Sequence, residues 1–101
     1  MCGINGIIFK NSKLDINKIL QMNNMLQHRG PDLNGSMSYK NLLLGHTRLS
    51  ILDTSTKGSQ PMSNDNRFWI VYNGEVYNYI ELREDLIKKN HKFYTNTDTE
   101  V

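Results

Sequence analysis

The chain begins Met1-Cys2-Gly3-Ile4, and Cys2 is the only cysteine among its 101 residues. If Met1 is removed, Cys2 carries both a thiol and a free α-amino group. The reference pKa of an α-amino group is about 7.7–8.0, so a useful fraction is unprotonated near neutral pH. Such an amine can accept the proton of a neighbouring thiol and so activate it as a nucleophile. The start of the chain therefore predicts nucleophilic catalysis by Cys2.

Other polar residues supply groups that would hold and activate a substrate. A thiolate that attacks a carboxamide forms a tetrahedral oxyanion, to which Asn73 can offer a side-chain amide and Gly74 a backbone N–H. The forked guanidinium of Arg48 suits a carboxylate. Asp98 or Glu75 can hold an ammonium group. Glutamine combines the amino, carboxylate and carboxamide groups that these residues would recognise.

Each polar cluster also has a purely structural interpretation. The Arg29-Gly30-Pro31-Asp32 segment is typical of a helix exit followed by a turn. The Asn73-Gly74 pair is the favoured sequence of a tight β-hairpin. Asp98 among threonines could cap a helix that is not in this chain, and a lone cysteine is often only a small apolar residue.

Composition excludes several classes of function. The length predicts one domain, and the net charge of +2 comes from scattered basic residues. We therefore expect no nucleic-acid partner and no membrane partner. The single cysteine fits a reducing cytoplasm, and the chain has neither a secretory signal nor a run long enough to span a membrane. The three histidines lack metal-ligand spacing, so no metal site is predicted.

Apolar spacing predicts an α+β fold whose sheet is largely antiparallel. A capping box of Asn78 and Glu81 would begin the second helix. The predicted elements are a strand over 4–9, a helix over 14–27, extended segments over 42–44 and 46–51, a strand over 68–72, a helix from 78 to about 89, and an extended piece from Phe93. Because Val101 follows a polar run with no closing element, we expect the sheet to be an incomplete, N-terminal portion of a larger fold.

Six motifs together resemble the class II glutamine amidotransferase domain, and within it the glutamine-hydrolysing asparagine synthetases. The resemblance covers the whole chain in the family's order and spacing. The motifs are Met-Cys-Gly-Ile at 1–4, His-Arg-Gly-Pro-Asp at 28–32, Gly-His-Thr-Arg-Leu-Ser-Ile-Leu-Asp at 45–53, Gln-Pro-Met at 60–62, Tyr-Asn-Gly-Glu-Val-Tyr-Asn-Tyr at 72–79 and Thr-Asp-Thr-Glu-Val at 97–101.

The resemblance implies a fold and a role for each matched residue. The fold is the N-terminal nucleophile hydrolase fold, a four-layer αββα sandwich, of which residues 1–101 would be part. Cys2 would attack the glutamine amide, releasing ammonia and leaving a glutamyl thioester that water cleaves to glutamate. The other matched roles are the oxyanion hole for Asn73 and Gly74, the carboxylate pocket for Arg48, Leu49, Ser50, Ile51 and Leu52, and the ammonium site for Glu75 and Asp98.

The resemblance also implies partners. L-glutamine would be the substrate, and the chain itself would need no cofactor. In complete family members the ammonia passes to a synthetase domain that uses ATP, magnesium and aspartate to make asparagine. That domain is absent from these 101 residues and would be supplied in cis or as a separate chain. A homodimer is left open.

Two alternatives remain at this point. In the first alternative, the chain is an inactive truncated remnant or an interaction module. In the second, it is the glutaminase domain of a sugar-amidating class II amidotransferase. Pro31-Asp32 favours the asparagine type, because glucosamine-6-phosphate synthases usually carry Tyr in place of that proline.

Overall fold

The computed structural model describes residues 1–11, 13–51 and 55–101. Its elements belong to the α+β class that the sequence predicts. They are the strands β1 (Gly3–Ile8), β2 (Leu33–Tyr39) and β3 (Leu42–Arg48), the helices α1 (Ile16–Met25) and α2 (Tyr79–Lys88), and two 3-10 turns, Thr56–Gly58 and Asp98–Glu100.

The apolar strand β3 lies in the middle of a three-stranded antiparallel sheet of order β1-β3-β2. Gly3 pairs with Thr47 on one side, and Leu33 pairs with Arg48 on the other. The β2–β3 hairpin turns at Lys40 and Asn41. The Asn41 side chain donates to the carbonyl of Phe9 at 3.0 Å and so ties the end of β1 to the hairpin.

Helix α1 covers one face of the sheet. The Asp15 carboxylate caps the helix by accepting the N–H of Asn17 at 3.0 Å. Ile19 is fully buried against Leu43 of β3 and Phe9, which form the small hydrophobic core. Apolar residues at helical spacing therefore position α1, as the sequence predicts.

A buried asparagine network holds α1 in register with the sheet. Asn23 of α1 has no exposed surface. Its amide donates to the Asn34 side chain at 2.6 Å and to the Gly35 carbonyl at 2.9 Å, both in β2. Its oxygen accepts from the Asn5 amide of β1 at 2.7 Å. One side chain thus joins the helix to both outer strands.

The sheet face opposite α1 is unevenly covered. Alternation along β3 places His46 and Arg48 on this face, and both are buried, with 1% and 5% of their surface exposed. At the other end of the same face, Ile8 and Tyr39 are 72% and 59% exposed. The covered end carries the polar residues considered below.

Three predictions about elements are wrong. Residues 68–72 do not form a strand: in the part of the chain that the structure describes, Ile70 makes an isolated bridge with Met62. A segment with high β propensity becomes a strand only when it pairs with a neighbouring strand, and a single bridge to Met62 is not such a pairing. The Asn78 side chain makes no capping hydrogen bond, although α2 begins at the next residue. The extended piece predicted from Phe93 is not a strand in the described structure. In addition, strand β2 was not predicted from the sequence.

Among the described residues, no helix is long and apolar enough to cross a membrane.

Candidate active site

Cys2 immediately precedes β1, and its sulfur lies against the loop that follows β3. The backbone N–H of Leu49 donates to Sγ at 3.4 Å, and Sγ lies 3.7 Å from the Leu49 carbonyl oxygen. The side chain of Arg29 donates to the Cys2 carbonyl at 3.2 Å. These contacts hold the end of the chain in place and fix the sulfur beside the loop that follows β3.

Residues 30–32, which follow α1, pack against the end of β3 and the loop after it. Gly30 packs so closely on the Thr47 backbone that an added Cβ would collide with it. Asp32 accepts the backbone N–H of Ser50 at 2.7 Å, and its own N–H donates to the Arg48 carbonyl at 3.0 Å. The helix exit and turn predicted here is confirmed, and it also braces residues 48–50.

Arg48 ends β3, and its guanidinium is buried beside backbone. Its Nη1 donates to the Ser55 carbonyl at 2.8 Å. Nη2 lies only 2.5 Å from the position that a Cβ on Gly58 would occupy. The guanidinium is therefore held in a narrow space that only a glycine at 58 leaves open.

Asp98 belongs to a second loop, at the start of the 3-10 turn Asp98–Glu100. It is 7% exposed, and its Oδ2 accepts the backbone N–H of Val76 at 2.7 Å. This bond joins the 95–98 loop to the 73–76 segment. Within the described residues, Asp98 begins a 3-10 turn, and one of its carboxylate oxygens is used to hold the 73–76 segment.

Asn73 and Gly74 do not form a hairpin turn either. A tight type I′ turn needs positive φ at both central residues, and neither Asn73 nor Gly74 has one. Gly74 instead packs beside the Tyr72 ring, which would lie 2.5–2.6 Å from an added Cβ. The pair belongs to an irregular segment, and both residues line a cavity.

Gln60 connects the surrounding segments. Its Oε1 accepts the backbone N–H of Tyr72 at 2.6 Å, and its Nε2 donates to the hydroxyl of Thr99 at 3.4 Å. The side chain is 7% exposed. The Gln-Pro-Met motif marked this position, but its role in holding other segments was not predicted because its partners are distant in sequence.

These segments enclose a cavity of about 320 Å³. This volume is near the lower end of the range for small-molecule binding sites, which is about 300–1,000 Å³. Ser50 does not line it, and Leu52 lies outside the described residues. Of the predicted site residues, the cavity is lined by Cys2, Arg48, Leu49, Ile51, Asn73, Gly74, Glu75 and Asp98; lining residues that were not predicted include Gly58, Gln60, Tyr72, Tyr77, Thr97 and Thr99.

His46 is buried on the sheet behind this cavity. Burial lowers the pKa of His46 below its ordinary value of 6.5, a hydrogen bond with the Tyr72 backbone opposes the shift, and the charge of Arg48 adds to it. Its Nε2 has no hydrogen-bond partner among the described residues. The imidazole is therefore favoured in its neutral form.

The cavity brings together a thiol, a guanidinium and a carboxylate from three parts of the chain. A thiol can attack an acyl carbon, and amides such as those of Asn73 and Gly74 can hold an oxyanion. A cation and an anion placed apart suit a zwitterionic amino acid. Within residues 1–11, 13–51 and 55–101, no three His, Cys, Asp or Glu residues are grouped to hold a metal ion.

Comparison with known protein families shows to which family this chain belongs. The family model of the glutamine amidotransferase domain matches residues 1–101. The chain belongs to the glutamine amidotransferase domain family. The resemblance seen in the six motifs is thereby confirmed, and with it the predicted class of domain.

Individual relatives of this glutamine amidotransferase domain agree. The chain is 45% identical over 106 residues to the glutamine-hydrolysing asparagine synthetase 1 of Bacillus subtilis. It is 40% identical over 104 residues to the glutamine-hydrolysing asparagine synthetase 3 of Arabidopsis thaliana and to the nodule enzyme of Pisum sativum. Each match covers 100% of this chain but only 17% or 18% of the relative. The chain is thus homologous to the N-terminal part of these synthetases.

Proposed function

We propose that the chain hydrolyses glutamine as the glutaminase part of an asparagine-synthetase-type amidotransferase. The observation that carries the proposal is the shared cavity, in which the Cys2 thiol lies together with Arg48 and Asp98. The reaction is acyl transfer from the side-chain amide of glutamine to sulfur and then to water. Family membership and the names of the relatives support this assignment.

Substrate binding uses the two charges of glutamine. Arg48 forms the forked contact with the α-carboxylate, since its guanidinium is held by the Ser55 carbonyl. Asp98, whose orientation is set by the Val76 N–H, binds the α-ammonium together with Glu75. Leu49 and Ile51, from the loop after β3, line the same cavity. This arrangement directs the carboxamide toward Cys2.

The chemical step begins after Met1 is removed, because Cys2 then has a free amine. That amine takes the thiol proton, and Sγ attacks the carboxamide carbon. The side-chain amide of Asn73 and the N–H of Gly74 stabilise the resulting oxyanion. The C–N bond breaks, the nitrogen receives the proton from the amine, and ammonia leaves. Water then attacks the thioester, which yields glutamate and restores the thiol.

The larger assembly is part of the proposal. Residues 1–101 form one portion of an αββα sandwich, and the exposed Ile8 and Tyr39 on the open sheet face support a covering layer there. A synthetase part, which in the family uses ATP and magnesium, receives the ammonia to make asparagine from aspartate. We further propose a cytoplasmic location. Pro31-Asp32 favours the asparagine type over glucosamine-6-phosphate synthases, whereas sugar-amidating relatives share the motifs.

Replacement of the nucleophile tests the proposed function. Cys2→Ala should abolish ammonia release from L-glutamine, because the sulfur that is proposed to form the thioester is then missing. The assay measures ammonia and glutamate, and intact mass checks that Met1 is absent from the active protein.

A glutamine-like electrophile supplies a second measurement. It should add once to the wild type, at Cys2, and should not add to Cys2→Ala, whose folding is checked by circular dichroism. Ammonia release at an equal rate from a well-folded Cys2→Ala protein would show that the proposed mechanism is wrong, as would retention of Met1 in every active molecule.

A further inference from the structure

The loop that carries Asp98 is held by a side chain outside the cavity. We propose that Arg83 of α2 is a positioning residue for Asp98 and thereby sets the selectivity for substrates with an α-ammonium group. This inference rests on the proposed glutaminase function. Arg83 does not line the cavity, so its effect must pass through the loop.

Arg83 makes a two-pronged contact with the loop backbone. Its Nη1 donates to the Thr95 carbonyl at 2.8 Å, and its Nη2 donates to the Thr97 carbonyl at 2.7 Å. The guanidinium also lies over the Phe93 ring, 4.4 Å from its centre. The planar group is therefore fixed by three contacts, and it spans two carbonyls that flank Asn96.

The second of these carbonyls belongs to the residue that precedes Asp98. Thr97 is 4% exposed and lines the cavity beside Asp98. The carboxylate of Asp98 has its own contact with the Val76 N–H, 2.7 Å away. The Arg83 bond to the Thr97 carbonyl fixes the backbone one residue before Asp98, and we expect it to keep the carboxylate where it reaches both that N–H and the substrate.

The rest of the loop is braced from the other side. The Glu100 carboxylate accepts the backbone N–H groups of Tyr94 and Thr95, each at 2.7 Å, and the Thr95 hydroxyl at 2.6 Å. These bonds fix residues 94–95 but make no contact with the Thr97 carbonyl. Thr95 and Thr97 are also joined directly, because the Thr97 N–H donates to the Thr95 hydroxyl at 3.2 Å and the two hydroxyls lie 2.9 Å apart. Among the described contacts, the Arg83 fork is the one that ties both of their carbonyls to helix α2.

The fork geometry itself is what the loop requires. A lysine at this position would keep the positive charge but would present a single ammonium group in place of two parallel N–H donors. Arg83→Lys should therefore preserve folding better than Arg83→Met while it loosens Thr97. Comparison of the two variants separates the effect of the positive charge, which Arg83→Lys keeps, from the effect of the forked geometry, which both variants lose.

Steady-state kinetics in the full-length protein test the proposal. Arg83→Lys should raise KM for L-glutamine about tenfold with little change in kcat, because ammonium binding is made in both the ground state and the transition state. The analogue that lacks the α-amino group, 4-carbamoylbutanoate, should keep its kcat/KM. The ratio of the two specificity constants should therefore fall. Lys88→Met, at an exposed site on the same helix, is the control and should leave both substrates unaffected.

A double-mutant cycle with Asp98→Asn asks whether Arg83 acts through Asp98. If it does, Arg83→Lys should have little further effect on the substrate ratio once Asp98 is replaced, so the two changes are not additive. Equal losses for both substrates, an unchanged ratio, or additive effects would overturn the inference. Such results leave the proposed function intact as long as wild-type activity depends on Cys2; loss of that dependence would instead defeat the proposed function.

Discussion

At the scale of single residues, the candidate site depends on small side chains as much as on charged ones. The guanidinium of Arg48 occupies space that Gly58 leaves empty, and Thr97 borders the same space. Arg48 has little freedom to move aside, because it is 5% exposed and bonded to the Ser55 carbonyl. A methyl group at position 58 would therefore displace the group proposed to bind the substrate carboxylate.

Gly58→Ala should raise KM for glutamine by about ten- to a hundredfold, since misplacement of a binding group by about 1 Å can cost that much. Steady-state glutaminase assays measure the effect. Gly6→Ala is the matched control, because its Cβ would meet only Leu44 and Leu43 at 3.2 and 3.3 Å, in the sheet away from the cavity. Similar KM values for the two variants would contradict the role given to Gly58.

Chemical type explains which residues could be predicted from the sequence. A nucleophile, a buried guanidinium and a carboxylate stand out by the chemistry that they offer, and Cys2, Arg48 and Asp98 line one cavity. The positioning roles of Gln60 and Arg83 were not predicted, because both side chains bind the backbone of segments that are distant in sequence. Positioning residues of this kind become visible only when the chain is folded.

At the scale of elements, pairing and packing outweigh local preference. Strand β2 was missed because Asn34, Gly35 and Ser36 favour turns, yet they pair along the apolar strand β3. Residues 68–72 were predicted as a strand from their aromatic and β-branched composition, but they lack a paired neighbour beyond Met62. Both errors have one cause, because a strand is defined by its partner.

The asparagine network between α1 and the sheet should make a measurable contribution to stability. Asn23→Ala leaves Asn5 and Asn34 without their buried partner, which should lower the free energy of unfolding by about 2–3 kcal/mol. Urea denaturation measures the loss. Asn24→Ala changes an exposed residue of the same helix and should have a small effect. Equal midpoints for the two variants would show that the network is dispensable.

At the scale of the whole molecule, His46 links stability to pH. Its pKa is lowered in the folded chain, so below about pH 6.5 the unfolded chain binds more protons. The contribution of His46 is therefore fully present above pH 6.5 and decreases as the pH falls from there toward the lowered pKa. The slope of stability against pH between 7 and 5 should become shallower in His46→Gln.

Denaturation at several pH values measures that slope, and His91→Gln is the control because His91 is exposed on the turn after α2. The control should keep the wild-type slope. If His46→Gln also kept the wild-type slope, another group would have to cause the pH dependence. That result would contradict the assignment of a neutral imidazole to buried His46.

The antiparallel pairing of β1 with β3 has a consequence for how this fold tolerates insertions and deletions. Gly3 faces Thr47, so continuing the ladder by one step brings Cys2 opposite Arg48. Side chains alternate between the two faces of a sheet, so adding or removing one residue in β1 would turn the sulfur toward α1. Changes of two residues would restore its direction. Parity within this strand, more than its exact composition, decides whether the thiol faces the cavity that is proposed to bind glutamine.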